Sequence, residues 1–457
     1  MKPSSWLSRP ARAFRRPARA YRRTAGVVGR MTPALLRTQP GFRRFWTGQT
    51  VSLVGDQVTL IALPLVAVLG LHASAAQMGY LTAAALVPNL LFSLHAGALM
   101  DRRGRRRQAM IAADLGRAAL LALVPLGAAL GWLTMPALYV IAFLTGTLGV
   151  LFMVSYNALF VALAPRDDYV AALSLLNGSR SLASVVGPSL GGVLVEALTA
   201  PAAIAVDAAS YVVSALCLRR VQAEEPAREE QRRGLVLSGA RFIASSPIVR
   251  SALCATATLN FFDYGFLALF FLYATRSLGV APATLGVVMG AGAVGGVLGS
   301  LVTGRVVRRI GVGPAFAAGC VAFPVPLLLV PLAGGPRWAV LLALLGAEFG
   351  AGLGVIMLDI SIGSIFAAVI PDRFRSRVGG AYMVVNYGVR PLGSLAAGAL
   401  ATAVGTRETL LVMAAGGCLA AVWLVRSPLL GLRVLPEAEG APPAADDRGR
   451  EPAGEAA

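Results

Sequence analysis

The stretch GALMDRRGRRRQ, residues 97–108, sets one acid, Asp101, inside a run of arginine, directly after one long apolar segment and directly before another. What surrounds it decides its meaning. Of the 457 residues 56% are hydrophobic and only 14% charged, where soluble domains carry about 25% charged residues; the medium is lipid. The net charge of +19 does not point to nucleic acid. The arginines sit at the ends of apolar segments rather than on a folded polar face with stacking aromatics.

Outward from this stretch the chain alternates between apolar segments and short connections. Twelve segments are legible, near 45–70, 77–100, 108–131, 136–164, 170–198, 202–218, 248–273, 283–306, 312–333, 338–366, 377–404 and 408–426. Most exceed the ~20 residues a helix needs to cross ~30 Å of hydrocarbon. The expected fold class is therefore an all-α membrane protein of twelve transmembrane helices. An even number puts both termini on one side. The basic clusters at Arg102 to Arg107, Arg219 and Arg220, Arg305 to Arg309 and Arg373 to Arg377 all fall in alternate connections, while LHASAAQ, GWLTMP and EALTAP opposite them carry almost no Lys or Arg. That asymmetry makes the termini cytoplasmic; the expected location is the cell inner (plasma) membrane.

The longest internal connection mixes charges of both signs and divides the helices into two groups of six. The expected organisation is a basic tail (1–44), six helices (45–218), a cytoplasmic linker (219–247), six helices (248–426) and a polar Pro/Ala/Gly-rich tail (427–457) expected to be disordered. The groups echo one another: residues 164–192 are answered by 370–398, and GALMDRRGRRR by the degraded GSLVTGRVVRRIG at 299–311. Twelve helices in two repeated halves is the transporter pattern, with a site near the midplane between halves that rock. The first 44 residues have no apolar h-region before the first long span, which argues against a cleaved signal peptide; Met31 is an alternative start. Their arginines suit anionic lipid headgroups. Cys217, Cys254, Cys320 and Cys418 lie in apolar runs without CxxC spacing and read as buried structural thiols.

Gly97, Leu99, Asp101, Arg102, Gly104, Arg105 and Arg106 resemble, in order, motif A of the major facilitator superfamily. Residues 45–65, DLGRAAL (114–120), NGSRSLASVVGPSLGGVL (177–194), VDAASYVVSAL (206–216) and the region from Pro371 to Gly393 are similar to its drug- and siderophore-exporter branch, that of the enterobactin exporter and macrolide efflux proteins. The resemblance covers roughly residues 43–426. It implies a secondary transporter that exports a small amphipathic organic molecule (a drug, antibiotic or siderophore) in exchange for protons by alternating access. No cofactor beyond the proton motive force is implied. In that family the motif A cluster latches the cytoplasmic gate. The second-half copy lacks the Asp after Gly304. Gly187, Pro188, Gly191 and Gly192 resemble the antiporter motif C, and Arg180, Ser184, Gly187 and Gly191 repeat at 4, 3 and 4 on one face; plain Gly-mediated packing is the competing reading.

An ionisable group in mid-span costs at least ~2.5 kcal/mol by insertion scales, so each is a functional candidate. Asp56 is the best placed. With Gln49, Ser52 and Thr59 it forms a polar stripe that could line a cavity, or it could bond a neighbouring helix through Asn157 or Arg180. Glu348, Asp359 and Asp263 are the other candidate proton-coupling acids, the first two sharing a helix face ~16 Å apart along the axis. Gln49, Ser52, Tyr156, Asn260, Tyr264 and Arg390 are candidate cavity residues. Phe152, Phe262, Phe266 and Tyr382 are expected as apolar walls or as lipid and helix contacts. Asp114 and Arg117 suit a local ion pair supporting the Asp101 turn, and Asp207 reads as interhelical glue. His72 and His95 stand alone, so no metal site is expected. No HExxH, GxSxG or phosphate-binding Gly-Lys-Ser/Thr loop appears, so an enzyme is not expected. An importer of the same fold and a transport-silent sensor remain the alternatives. The expected partners are substrate, protons and lipid, and the expected state is a monomer.

Overall fold

The computed structural model describes residues 34–164, 168–222, 235–425 and 427–433, and every regular element among them is helical. The long helices are α1 (Pro40–Leu65, tightening into a π turn over Val66–Gly70), α2 (Ala75–Arg103), α3 (Arg106–Ala129), α4 (Met135–Leu163), α5 (Tyr169–Ala197) and α6 (Ala200–Arg219), followed by α7 (Pro247–Arg276), α8 (Pro282–Ile310), α9 (Val312–Leu332), α10 (Arg337–Val369), α11 (Asp372–Val404) and α12 (Thr406–Val425). Among the described residues ten helices are long and apolar enough to cross a membrane. The two outside that set, α5 and α11, span 29 and 33 residues and carry more polar side chains.

Local chemistry sets the ends. α1, α4, α6, α7 and α8 begin with proline in the first turn, where its missing N–H costs nothing. Thr199 Oγ1 caps α6 by accepting from Ala202 N at 3.3 Å. Gly311 and Gly405 end α8 and α11 at φ 96° and 99°, a backbone region that side chains resist. Three prolines, Pro324, Pro326 and Pro331, break α9 into three pieces.

The packing order of α1–α6 recurs in α7–α12. α1 lies on α5 and α6 as α7 lies on α11 and α12, α2 lies on α4 as α8 lies on α10, and α3 on α4 as α9 on α10. Between the groups α5 packs on α8 and α2 on α11. Small residues build these seams and those inside each group: a Cβ on Gly192 of α5 would sit 2.4 Å from Pro282 O of α8, and one on Gly79 of α2 2.6 Å from Ser394 O of α11. A Cβ on Gly352 of α10 would sit 1.8 Å from the carbonyl oxygen of Gly292 of α8, so the backbones touch, as helices do where lipid supplies no hydrophobic drive. Many large apolar side chains are exposed, among them Leu342 (61% exposed) and Trp338 (66% exposed), which suits lipid and not water.

The expected boundaries differ by a few residues because hydropathy misses helical turns that are polar: α1 starts at Pro40 and α11 at Asp372. The expected linker holds a further helix, Leu235–Ser245, seated on α11. Gly239 permits this, since a Cβ there would be 2.1 Å from Arg377 O, and Phe242 stacks on Phe374 with centroids 5.2 Å apart.

Candidate functional site

The polar stripe of α1 faces α6. Gln49 and Ser52 are each 4% exposed, and Gln49 Nε2 donates to Ser214 Oγ at 3.4 Å. Thr59 Oγ1 donates to Asp207 Oδ2 at 2.5 Å, and Tyr211 Oη donates to Asp56 Oδ1. This corrects the reading of Gln49 and Ser52 as cavity residues: a 3-4 spacing identifies a face, not what the face meets. Asp56 is exposed at the margin of the seam. Its partner is Tyr211, not Asn157 or Arg180.

Behind Tyr211 stands a buried ion pair. Arg117 Nη2 donates to Asp114 Oδ1, with Asp114 0% and Arg117 6% exposed. The Arg117 guanidinium lies 4.1 Å from the Tyr211 ring centroid and 4.4 Å from that of Phe152. The pair is therefore joined to the Asp56 seam; the expected support of the Asp101 turn falls on side chains outside the described residues. Tyr156, half-buried, stacks on Phe45 at 5.4 Å and on Phe152 at 6.3 Å. Phe266 is core, 3% exposed.

In the second group α7, α10 and α11 enclose a cavity of about 350 Å³. Asp263, Asp359, Arg390, Asn260 and Tyr264 all line it, so five candidates converge there with Tyr382, Asn386 and Tyr387. Arg390 is held from three sides. Its guanidinium lies 4.7 and 4.6 Å from the Tyr264 and Tyr387 centroids, and its Nε donates to Asn260 Oδ1 at 2.8 Å. Asn260 in turn donates to Asn386 Oδ1 at 2.8 Å, and Tyr382 Oη donates to Thr256 Oγ1 at 2.8 Å. Such a network presents fixed dipoles and charges to whatever enters.

A second cavity, about 470 Å³, lies between the groups, with walls from α1, α5, α8 and α10. Glu348 is the ionisable residue among those lining it; Gln57, Ser181, Ser184 and Ser300 add polar edges to an otherwise apolar wall. Glu348 and Asp359 thus serve different cavities, which adjoin at Phe323 and Val355. Pro188 lines this cavity too, and Arg180 is exposed on the same helix, one turn from Ser184.

The motif C glycines work on two fronts. Gly187 and Gly191 admit α1, since their Cβ atoms would lie 2.5 Å from Gln57 Cβ and 3.0 Å from Val58 Cα. Gly192 admits α8 across the groups, at 2.4 Å from Pro282 O. This close approach belongs to the end of the bundle opposite Pro40, Arg219 and Asp372, and other contacts between the groups gather at that far end. Glu196 Oε2 accepts from Ala283 N at 3.0 Å, and Arg276 Nη2 donates to Val68 O at 3.2 Å. An acid at the first turn of α8 meets the positive end of the helix dipole, worth about 0.3–1 kcal/mol. Glu196→Gln is accordingly expected to raise, about two- to five-fold, the labelling of Ser184→Cys by an impermeant thiol reagent from the far side, in a background without the four native cysteines. Unchanged labelling would mean that the contact carries no closing energy.

Motif A falls at the other end. Gly97, Asp101 and Arg102 lie within α2, whose residues 94–103 have side chains outside the described residues. Gly104 turns the chain at φ 64°, Arg105 precedes α3, and Arg106 opens it. Arg107 Nη1 donates to Val221 O at 2.5 Å and Arg44 Nη1 to Arg220 O at 2.7 Å, so two cations meet the carbonyl end of α6.

Tyr211, Asn386 and Tyr387 were missed by sequence reasoning. A signal existed: Asp207, Tyr211 and Ser214 on α6, and Tyr382, Asn386 and Arg390 on α11, recur at helical spacing on single faces.

Long apolar helices in two like-packed groups, with cavities within and between them, define a multi-pass membrane transporter. Comparison with known proteins narrows this. The family model of the Major Facilitator Superfamily matches residues 45–387 and 253–454, and the chain belongs to that family, one of transporters and not enzymes. It is 29% identical over 418 residues to the multidrug efflux pump Tap of Mycobacterium tuberculosis (strain ATCC 25618 / H37Rv), covering 85% of this chain and 94% of the relative. It is 30% identical over 376 residues to that of Mycolicibacterium fortuitum, covering 79% and 88%. The crystal structure of the nucleoside transporter NupG shares its fold, with TM-score 0.66 at 14% identity over 84% of this chain and 98% of that one.

Proposed function

We propose that this transporter exports small amphipathic organic molecules, cations foremost, from the cytoplasm across the cell inner membrane in exchange for protons. The observation that carries the reading is the cavity between the two helix groups, apolar but for Glu348 and a few hydroxyl and amide groups. An apolar wall holds the body of a lipophilic molecule and a single carboxylate in low dielectric selects its positive charge. The name of the curated relatives, multidrug efflux pump, supports the direction and the substrate class. With both termini cytoplasmic, the contacts between Glu196 and α8 close the outer end, and substrate enters from inside.

Asp56 is the proposed proton carrier. It is exposed beside a seam of hydrogen-bonding groups, so water can reach it while its charged form is poorly solvated by the surrounding helices. Proton and cation then compete electrostatically for one cavity system. The test is efflux of ethidium from proteoliposomes under an imposed pH gradient. Glu348→Gln should weaken ethidium binding about ten-fold or more, the loss of roughly 1.4 kcal/mol or more of charge attraction, while a neutral dye of similar shape binds as before. Equal weakening of both dyes would remove Glu348 as the cation selector, and absence of ethidium efflux by the wild type would overturn the export reading.

A further inference from the structure

Asp207 is the most enclosed carboxyl of the α1–α6 seam, and the exchange reading leaves it without a part. It is 0% exposed. Thr59 Oγ1 donates to its Oδ2 at 2.5 Å and Ser210 Oγ to its Oδ1 at 2.9 Å. Among the described residues no cation lies within ion-pair distance of it, because the guanidinium of the seam, Arg117, is bound to Asp114. The ionisable groups that act on it are Asp56 from α1, Arg117 from α3, itself bound to Asp114, and Tyr211 from its own helix. Three carboxyls thus share one guanidinium. Were all three ionised, Asp114 would have Arg117 and the exposed Asp56 would have water, but Asp207 would hold an uncompensated charge among helices, at a cost of several kcal/mol.

The chemistry of the partners adds a second point. Arginine only donates hydrogen bonds and would hold a carboxylate in its charged form. A hydroxyl both donates and accepts, so Thr59 and Ser210 can satisfy Asp207 with or without its proton. Tyr211 stands to Asp56 in the same way. Thr59 lies one turn from Asp56 on α1, which makes the exposed Asp56 the point of entry. We propose that Asp207 is a second exchangeable proton site, so that each cycle returns two protons per substrate molecule. This rests on the proton-exchange reading and deepens it: export of a monovalent cation would then move net charge, and membrane potential would add to the pH gradient as a driving force.

The experiment uses the full chain in proteoliposomes with ethidium as probe, a pH gradient of about one unit, and the membrane potential clamped at zero. Two protons per ethidium sustain a steady-state gradient of about 100-fold and one proton about 10-fold. The wild type is expected near 100-fold and Asp207→Asn, which keeps both hydroxyl contacts, near 10-fold. A wild-type value near 10-fold overturns the inference without needing any variant to fold, and leaves proton exchange itself standing; an Asp207→Asn value near 100-fold also overturns it. A wild-type gradient indifferent to pH overturns the exchange reading and this inference with it.

Discussion

Asp56→Asn is expected to abolish pH-gradient-driven efflux of ethidium from proteoliposomes, lowering the gradient-dependent rate by at least ~100-fold, a barrier increase of roughly 2.7 kcal/mol. Folding and ethidium binding should be preserved, because the amide oxygen of an asparagine still accepts from Tyr211 Oη, the donor to Asp56 Oδ1. The isostere removes the titrating proton and little else. Asp56→Glu should keep part of the response, since it restores a carboxyl with a longer reach. The alternative is that Asp56 only fastens α1 to α6 through Tyr211. An asparagine variant whose efflux rises with the proton gradient at wild-type slope would establish that, and would move the proton to Glu348, Asp359 or Asp263, which line the two cavities.

Arg117→Ala should be the most destabilising single change in the first helix group, by about 3–5 kcal/mol, the usual cost of removing one partner of a buried ion pair. Asp114, 0% exposed, would be left charged without a counter-ion, and the guanidinium contacts to Phe152 and Tyr211 at 4.4 and 4.1 Å would be lost as well. Denaturation of the purified protein in mixed micelles reads this directly. Replacing the pair together, as Arg117→Met with Asp114→Leu, should recover most of the loss, because two apolar side chains of similar volume need no solvation. A single variant within about 1 kcal/mol of wild type would show that Asp114 finds another partner or is neutral, and the seam would then need a different charge count.

These residues also show how far the sequence can be read. Asp56, Asp114, Arg117 and Asp207 stand out in it because ionisable groups are rare inside apolar spans. Nothing in one dimension says that they meet: α1, α3 and α6 bring them together from positions up to 151 residues apart along the chain, counting from Asp56 to Asp207. The aromatics illustrate the converse. Phe152, Tyr156 and Phe266 left two places open, a cavity wall or a contact with lipid or neighbouring helices, and they pack on Arg117, Phe45 and Phe270, whereas Tyr382 does face the cavity. An aromatic is equally at home in either place, so type alone carries no orientation.

What the sequence by itself determined is the set of helices and the family. Lipid imposes a local rule: every backbone polar group must be satisfied within its own segment, so length and apolarity alone mark out a span. Proline and glycine at the ends act locally too, as at Pro247, Pro282, Gly311 and Gly405. The tertiary structure alone decided which face of each helix meets a neighbour and which meets a cavity. The α1 stripe turned to α6 rather than to open space, Glu348 and Asp359 went to separate cavities, and Arg390 was caught between Tyr264 and Tyr387. Helical periodicity fixes the angle between side chains of one helix, but the rotation of that helix is set by close packing against others. Here that packing runs through glycines such as Gly192, Gly292 and Gly352, whose partners lie on helices distant in sequence.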